Sequence, residues 1–169
     1  MKTLYIVRHA KSSWDDPELD DFERPLNKRG LKDAPRMGKR LKEKRVTPDI
    51  MLSSPAVRAL ATCKAIATVL AFNESKIKTD RKLYHADEDQ ILEVVRKLKD
   101  SPRDSEEVAM IFGHNPGLTE FANALLNQTI DNIPTCGIVA AQLPVARWQD
   151  VTFGCGKMLF FDFPKRIED

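Results

Sequence analysis

Val108-Ala109-Met110-Ile111-Phe112 runs straight into Gly113-His114-Asn115-Pro116-Gly117, after which Leu118, Phe121, Ala122 and Leu125 recur at helical spacing. A short apolar run, a turn and an apolar stripe of 3.6-residue period make a strand, a loop and an amphipathic helix. The alternation extends in both directions. Apolar or β-branched runs at 3–7, 49–52, 76–78, Ile138–Leu143 and 158–163 are interleaved with helical periods at 28–44, 56–71, 89–99 and 116–126. Ala59, Cys63, Ile66 and Leu70 form the stripe of the second helix, and Ile91, Val94, Val95 and Leu98 that of the third. Strands alternating with helices predict an α/β protein, a three-layer α/β/α sandwich around a mainly parallel central sheet. The last two strands, joined through Trp148 and Gly154-Cys155-Gly156, can close it with an antiparallel edge hairpin.

Local signals set the helix boundaries. Ser53-Ser54 before Pro55 predicts a serine cap with proline in the first turn of the second helix. Asp87 and Gln90 resemble a capping box for the third, and Asn115-Pro116 opens the fourth. Pro35 inside the first helical period must kink that helix or mark its true start.

Composition removes several function classes. At 169 residues without a repeat or a Gly/Ser-rich linker, the chain is expected to form a single domain over 1–169. With 27 basic residues against 25 acidic ones, no nucleic-acid or membrane partner is expected, and the basic run 39–45 reads as a solvated helix face. No apolar run could span a bilayer, and a strand beginning at Thr3 leaves no room for a signal peptide, so a cytoplasmic protein is expected. Cys63, Cys136 and Cys155 lack C-x-x-C spacing and read as free thiols, with Cys63 in the core. No zinc site is expected.

The chemistry collects at strand ends, where open α/β sheets bind ligands. Arg8-His9 closes the first strand, Arg58 opens the second helix, His85 follows the third strand region, and His114 lies in the fourth strand–helix loop. All the histidines therefore fall in such loops. Two histidines and two arginines in one crevice suit a phosphoryl group. Guanidinium forks match phosphate oxygens, helix N-termini add N–H donors, and a neutral imidazole can attack phosphorus. Arginines that neutralise the developing charge make a metal or cofactor unnecessary, and none is expected. His9 follows its strand directly, so a backbone carbonyl is expected to hold one ring nitrogen and leave the other to attack.

Tyr5-Ile6-Val7-Arg8-His9-Ala10 resembles the R-H-G signature of the histidine phosphatase superfamily, whose fold is that of the phosphoglycerate mutases. Leu52-Ser53-Ser54-Pro55-Ala56-Val57-Arg58-Ala59, Leu83-Tyr84 and Gly113-His114-Asn115-Pro116-Gly117-Leu118 match further blocks. Arg24-Pro25-Leu26 with Gly30 is similar to the short SixA-type phosphohistidine phosphatases. The resemblance implies that His9 is the nucleophile, that Arg8 and Arg58 bind phosphate, and that His114 is the second histidine at the phosphoryl oxygens. Arg24, Ser12 and His85 are candidate outer ligands for substrate. Ala10 replaces the usual glycine, Asp15 stands where the mutases often carry Asn, and His85 stands where many members carry an acidic proton donor. Asn115 replaces the Asp of the acid phosphatases.

The expected function is a metal-independent phosphatase working through phosphohistidine on His9. The SixA-type resemblance implies phosphohistidine in proteins, such as phosphorelay domains, as substrate. The alternatives are a phosphatase of small phosphate esters and, from a different class, a non-catalytic phosphohistidine- or phosphate-binding module. A mutase, which must enclose a bisphosphate, is disfavoured by the length.

Overall fold

The computed structural model describes residues 1–101 and 106–166. Six strands, β1 (Lys2–Arg8), β2 (Ile50–Ser53), β3 (Lys78–Thr79), β4 (Glu107–Gly113), β5 (Ile138–Leu143) and β6 (Lys157–Asp162), form one sheet in the order β3-β2-β4-β1-β5-β6. The pairs β3/β2, β2/β4 and β4/β1 are parallel. Strand β5 runs antiparallel to both β1 and β6, so the edge hairpin forms as expected.

The period of two along the central strands divides the core. Leu4 and Ile6 of β1 and Ala109 and Ile111 of β4 face a cluster containing Ile91, Val95, Phe121 and Leu125. Those residues come from α3 (Glu88–Arg96) and α4 (Gly117–Leu126). Tyr5, Val7, Met110 and Phe112 face the other way, onto Met37 and Leu41 of α1 (Lys28–Glu43) and Cys63 and Ile66 of α2 (Val57–Val69). These are the three expected layers, both sheet faces being covered by apolar helix stripes. The helix after β4 lies on the opposite face from those after its neighbours β1 and β2. Strand β4 therefore stands at a topological switch, and the crevice opens beyond its C-terminal end.

One boundary reading is decided between its alternatives and two change. Pro35 lies inside α1 and is not its start; Asn27 caps the helix, its side chain accepting from the Gly30 N–H at 2.9 Å. Pro55 precedes α2, whose N-cap is Ala56 without a side-chain cap. Ser54 does not cap the helix because its hydroxyl is used elsewhere: it accepts from the Ala56 N–H at 3.2 Å and meets His114. The capping box of Asp87 and Gln90 forms as expected. All three cysteines are free, and Cys63 is buried in the core, where burial pushes its thiol up to about 12.

Candidate active site

Register brings the two histidines together. Arg8 is the Cα partner of Gly113 in the β1/β4 ladder, so the next residues, His9 and His114, leave the sheet side by side. The His9 N–H bonds the Gly113 carbonyl at 3.1 Å, and the Ser54 N–H continues the row to the Phe112 carbonyl at 2.9 Å. Parallel strands that end level thus line up His9, His114 and Ser54 along one edge. The imidazole rings lie 5.2 Å apart between centroids.

The hydrogen bonds assign the ring protons. His9 Nδ1 lies 2.7 Å from the Ala10 carbonyl oxygen, which can only accept, so Nδ1 carries the proton and Nε2 the lone pair. Ala10 holds this geometry through its N–H to the Thr62 hydroxyl at 2.9 Å, with Thr62 in turn bonded to the Arg58 carbonyl. Ala10 is buried and outside the left-handed region, so no glycine is needed there. His114 Nε2 meets the Ser54 hydroxyl at 2.8 Å. That oxygen accepts from Ala56 and keeps its own proton free to donate to Nε2; we assign that direction, which puts the ring proton of His114 on Nδ1. Nδ1 of His114 is buried without a partner, as is Nε of Arg8. Two buried donors without acceptors beside a lone pair are what an incoming anion satisfies.

Electrostatics keep both rings neutral. Burial, with the guanidiniums of Arg58, Arg8 and Arg24 opposing a second proton, lowers His9 to about 4, although the Ala10 carbonyl works the other way. Burial, His9 and Arg58 lower His114 to about 3. A neutral His9 at physiological pH is the nucleophilic form.

The arginines converge as expected. Arg58 and Arg24 are both buried, and Arg8 reaches the Ile133 carbonyl through Nη1 at 2.9 Å. Sequence reasoning missed the carboxylate that ties them together. Asp21, in a 3₁₀ turn (Asp21–Glu23), accepts from Arg58 Nη2 at 2.9 Å, from Arg24 Nη1 at 2.8 Å and from the Tyr84 hydroxyl at 2.7 Å. Burial works to raise its carboxyl, but Tyr84, Arg58 and Arg24 outweigh it and hold it well below the usual carboxylate range. Its position three residues before Arg24 was the available signal. Arg24 also donates to the Ser12 hydroxyl and, at 3.1 Å, to the Ser13 carbonyl, while Trp14 stacks 3.2 Å from its guanidinium. Ser12 and Arg24 therefore belong to the site through each other.

His85 sits at φ 59°, its ring tilted against that of Tyr84 with centroids 3.9 Å apart. With Asp87, His114, Asn115 and Glu120 it lines a 240 Å³ cleft beside the second histidine. Gly117 lets that segment approach, since a Cβ there would lie 1.9 Å from the Ala86 carbonyl oxygen. Asp15 is exposed in the loop before Asp21. Among the described residues, no cluster of three His, Cys, Asp or Glu could hold a metal ion.

A family model described as the histidine phosphatase superfamily (branch 1) matches residues 4–90, which contain Arg8, His9, Asp21, Arg24, Arg58 and His85. The chain belongs to the histidine phosphatase superfamily. Members of this superfamily are phosphatases and mutases. An uncharacterized chloroplastic protein of Arabidopsis thaliana is 33% identical over 154 residues, which cover 88% of this chain and 70% of that protein. The solved structure of the protein histidine phosphatase SixA complexed with tungstate superposes with a TM-score of 0.80 at 21% identity, covering 96% of this chain and 97% of SixA. A SixA structure from Agrobacterium tumefaciens gives 0.80 at 23% identity, with the same coverage. These likenesses place the superfamily chain in the SixA fold. Among the described residues, no helix is long and apolar enough to cross a membrane.

Proposed function

We propose that this superfamily member is a metal-independent phosphatase that works through a phosphohistidine on His9 and removes phosphate from phosphohistidine in proteins. The observation that carries the reading is the proton assignment at His9: Nδ1–H is spent on the Ala10 carbonyl, and the neutral ring offers Nε2 among three guanidiniums.

Attack of Nε2 on phosphorus forms the N–P bond as the bond to the leaving group breaks, and the leaving atom takes the electron pair. The Nδ1–H of His114 and the Nε–H of Arg8, both without internal acceptors, donate to the phosphoryl oxygens and meet the charge that grows on them. Water then attacks the phosphohistidine, the N–P bond breaks, and the pair returns to Nε2 as phosphate departs. The guanidiniums supply the positive charge that a metal supplies elsewhere, at any working pH. The protein substrate is supported by the SixA-type pattern around Arg24 and by the absence of a carboxylate at the position of His85. Phosphohistidine loses imidazole, which departs without a strong acid, whereas an alkoxide needs one.

The test is turnover on a phosphohistidine protein and on a panel of phosphate esters, with His9→Ala as control. Hydrolysis of the phosphohistidine protein that His9→Ala abolishes is expected. A substantial rate in a folded His9→Ala variant, or activity on small esters alone, contradicts the reading.

A further inference from the structure

The resting site has already spent part of its positive charge. Every side-chain nitrogen of Arg24 has an internal partner: Nε the Ser13 carbonyl, Nη1 the Asp21 carboxylate and Nη2 the Ser12 hydroxyl. Both terminal nitrogens of Arg58 turn to Asp21, Nη2 to its carboxylate and Nη1 to its main-chain carbonyl. Among the described residues, the buried side-chain nitrogens without a partner are Arg8 Nε and His114 Nδ1, on the His9 side. One phosphoryl group satisfies them. A second anionic group on the same small substrate would look for Arg24 and the outer edge of Arg58, and it would find a carboxylate already there. That carboxylate is strongly held: the Tyr84 hydroxyl adds a third donor, and the arginines keep Asp21 ionised. Its side chain is nonetheless 43% exposed, so it faces whatever enters from solvent.

Resting on the phosphatase reading, we propose that Asp21 is a specificity-determining residue. It restricts the site to phosphoryl groups whose carrier is uncharged or cationic near phosphorus, and it rejects carriers with a second anion there, such as bisphosphates and phosphorylated carboxylic acids. Like charges juxtaposed in a partly dry site are costly, and discrimination of this kind works by repulsion rather than by a better fit. Protein phosphohistidine, whose imidazole is uncharged or cationic, passes the filter.

The experiment compares 3-carboxyphenyl phosphate with its uncharged isostere 3-carbamoylphenyl phosphate, in wild type and in Asp21→Asn, with thermal melting to establish folding. Wild type is expected to favour the carbamoyl substrate by roughly tenfold in kcat/KM at low salt, narrowing as ionic strength approaches about 1 M. Asp21→Asn keeps the shape and removes the charge, so the ratio should fall towards unity even if both absolute rates drop. A merely structural role for Asp21 would lower both rates and leave their ratio alone. Equal wild-type efficiencies, or an unchanged ratio in folded Asp21→Asn, overturn the proposal. If Asp21→Asn does not fold, the wild-type salt series decides, and a ratio that salt leaves unchanged overturns it. Hydrolysis of neither substrate overturns this inference alone where wild type still dephosphorylates a phosphohistidine protein, and removes the phosphatase reading with it where wild type does not.

Discussion

The imidazoles of His9 and His114 stand 5.2 Å apart and are anchored at opposite nitrogens: His9 donates from Nδ1 to the Ala10 carbonyl, whereas His114 meets the Ser54 hydroxyl through Nε2. One ring presents a lone pair and the other a donor. The division of labour follows from where each ring's second nitrogen is anchored, and each anchor makes a different prediction.

Neutrality of the pair has a signature in pH. An unfolded histidine titrates near 6.5, whereas burial, chiefly, and the arginines lower folded His9 to about 4. Between those values the unfolded chain binds a proton that the folded chain refuses, so this contribution to stability is full above about 6.5 and is lost as pH falls towards 4. His114, lowered to about 3, extends the loss further. Urea denaturation should show stability falling through this window, and the NMR resonance of the His9 ring should titrate near its lower end. A His9 ring titrating near 6.5 contradicts the electrostatics described.

Ser54→Ala removes the group that sets the His114 tautomer. With Nε2 unpartnered, the proton is no longer directed to Nδ1. A lost buried hydrogen bond of about 1–1.5 kcal/mol corresponds to roughly a tenfold drop in kcat. KM should change less, since Arg8 and Arg58 remain. An unaltered kcat in the folded variant would show that Ser54 does not orient the ring.

Much of this was legible in the sequence, and the rest was not, for identifiable reasons. Apolar periodicity located the strands and helices because both sheet faces are covered, so a strand such as β4 reads as a continuous apolar run. His9 held by a backbone carbonyl was also expected, since a residue immediately after a buried strand has carbonyls close by. The contact of Asp21 with Arg58 and the role of Ser54 were not legible. Asp21 comes from a loop in an acidic stretch and meets Arg58, 37 positions away, while Ser54 and His114 meet only because β2 and β4 end level. Strand order and register, which local sequence does not encode, create both contacts. Ser54 also looked like a helix cap, because serine before a helix usually is one.

Arg58→Lys keeps the charge and loses the fork. The terminal nitrogens of Arg58 rest on Asp21, and a phosphoryl group that draws them over in the transition state gains contacts worth about 2.7–4 kcal/mol, so kcat/KM should fall by on the order of 10²–10³-fold. Wild-type turnover should survive chelation by EDTA. Activity lost in EDTA and restored by a divalent ion would assign the charge compensation to a metal instead.

His85 lies in the cleft beside His114 that Asp87 and Glu120 also line, and its imidazole stands where a carboxylic acid would serve a poor leaving group. Phosphohistidine and aryl phosphates should therefore exceed glycerol phosphate or serine phosphate in kcat/KM, proton donation being worth about 10²–10⁴-fold for the alkyl esters. His85→Glu should raise the alkyl-ester rates more than the phosphohistidine rate. Equal wild-type efficiency on glycerol phosphate and phosphohistidine would show that a proton donor is already in place.

The central claim is that His9 Nε2 becomes phosphorylated. The direct measurement is rapid quench of wild type with ³²P-labelled substrate, followed by mapping of the protein-bound label. The account predicts acid-labile, base-stable phosphate on His9, formed and consumed within the turnover time and missing from His9→Ala. Label-free turnover in wild type, or label carried by another residue with His9→Ala still active, would contradict it.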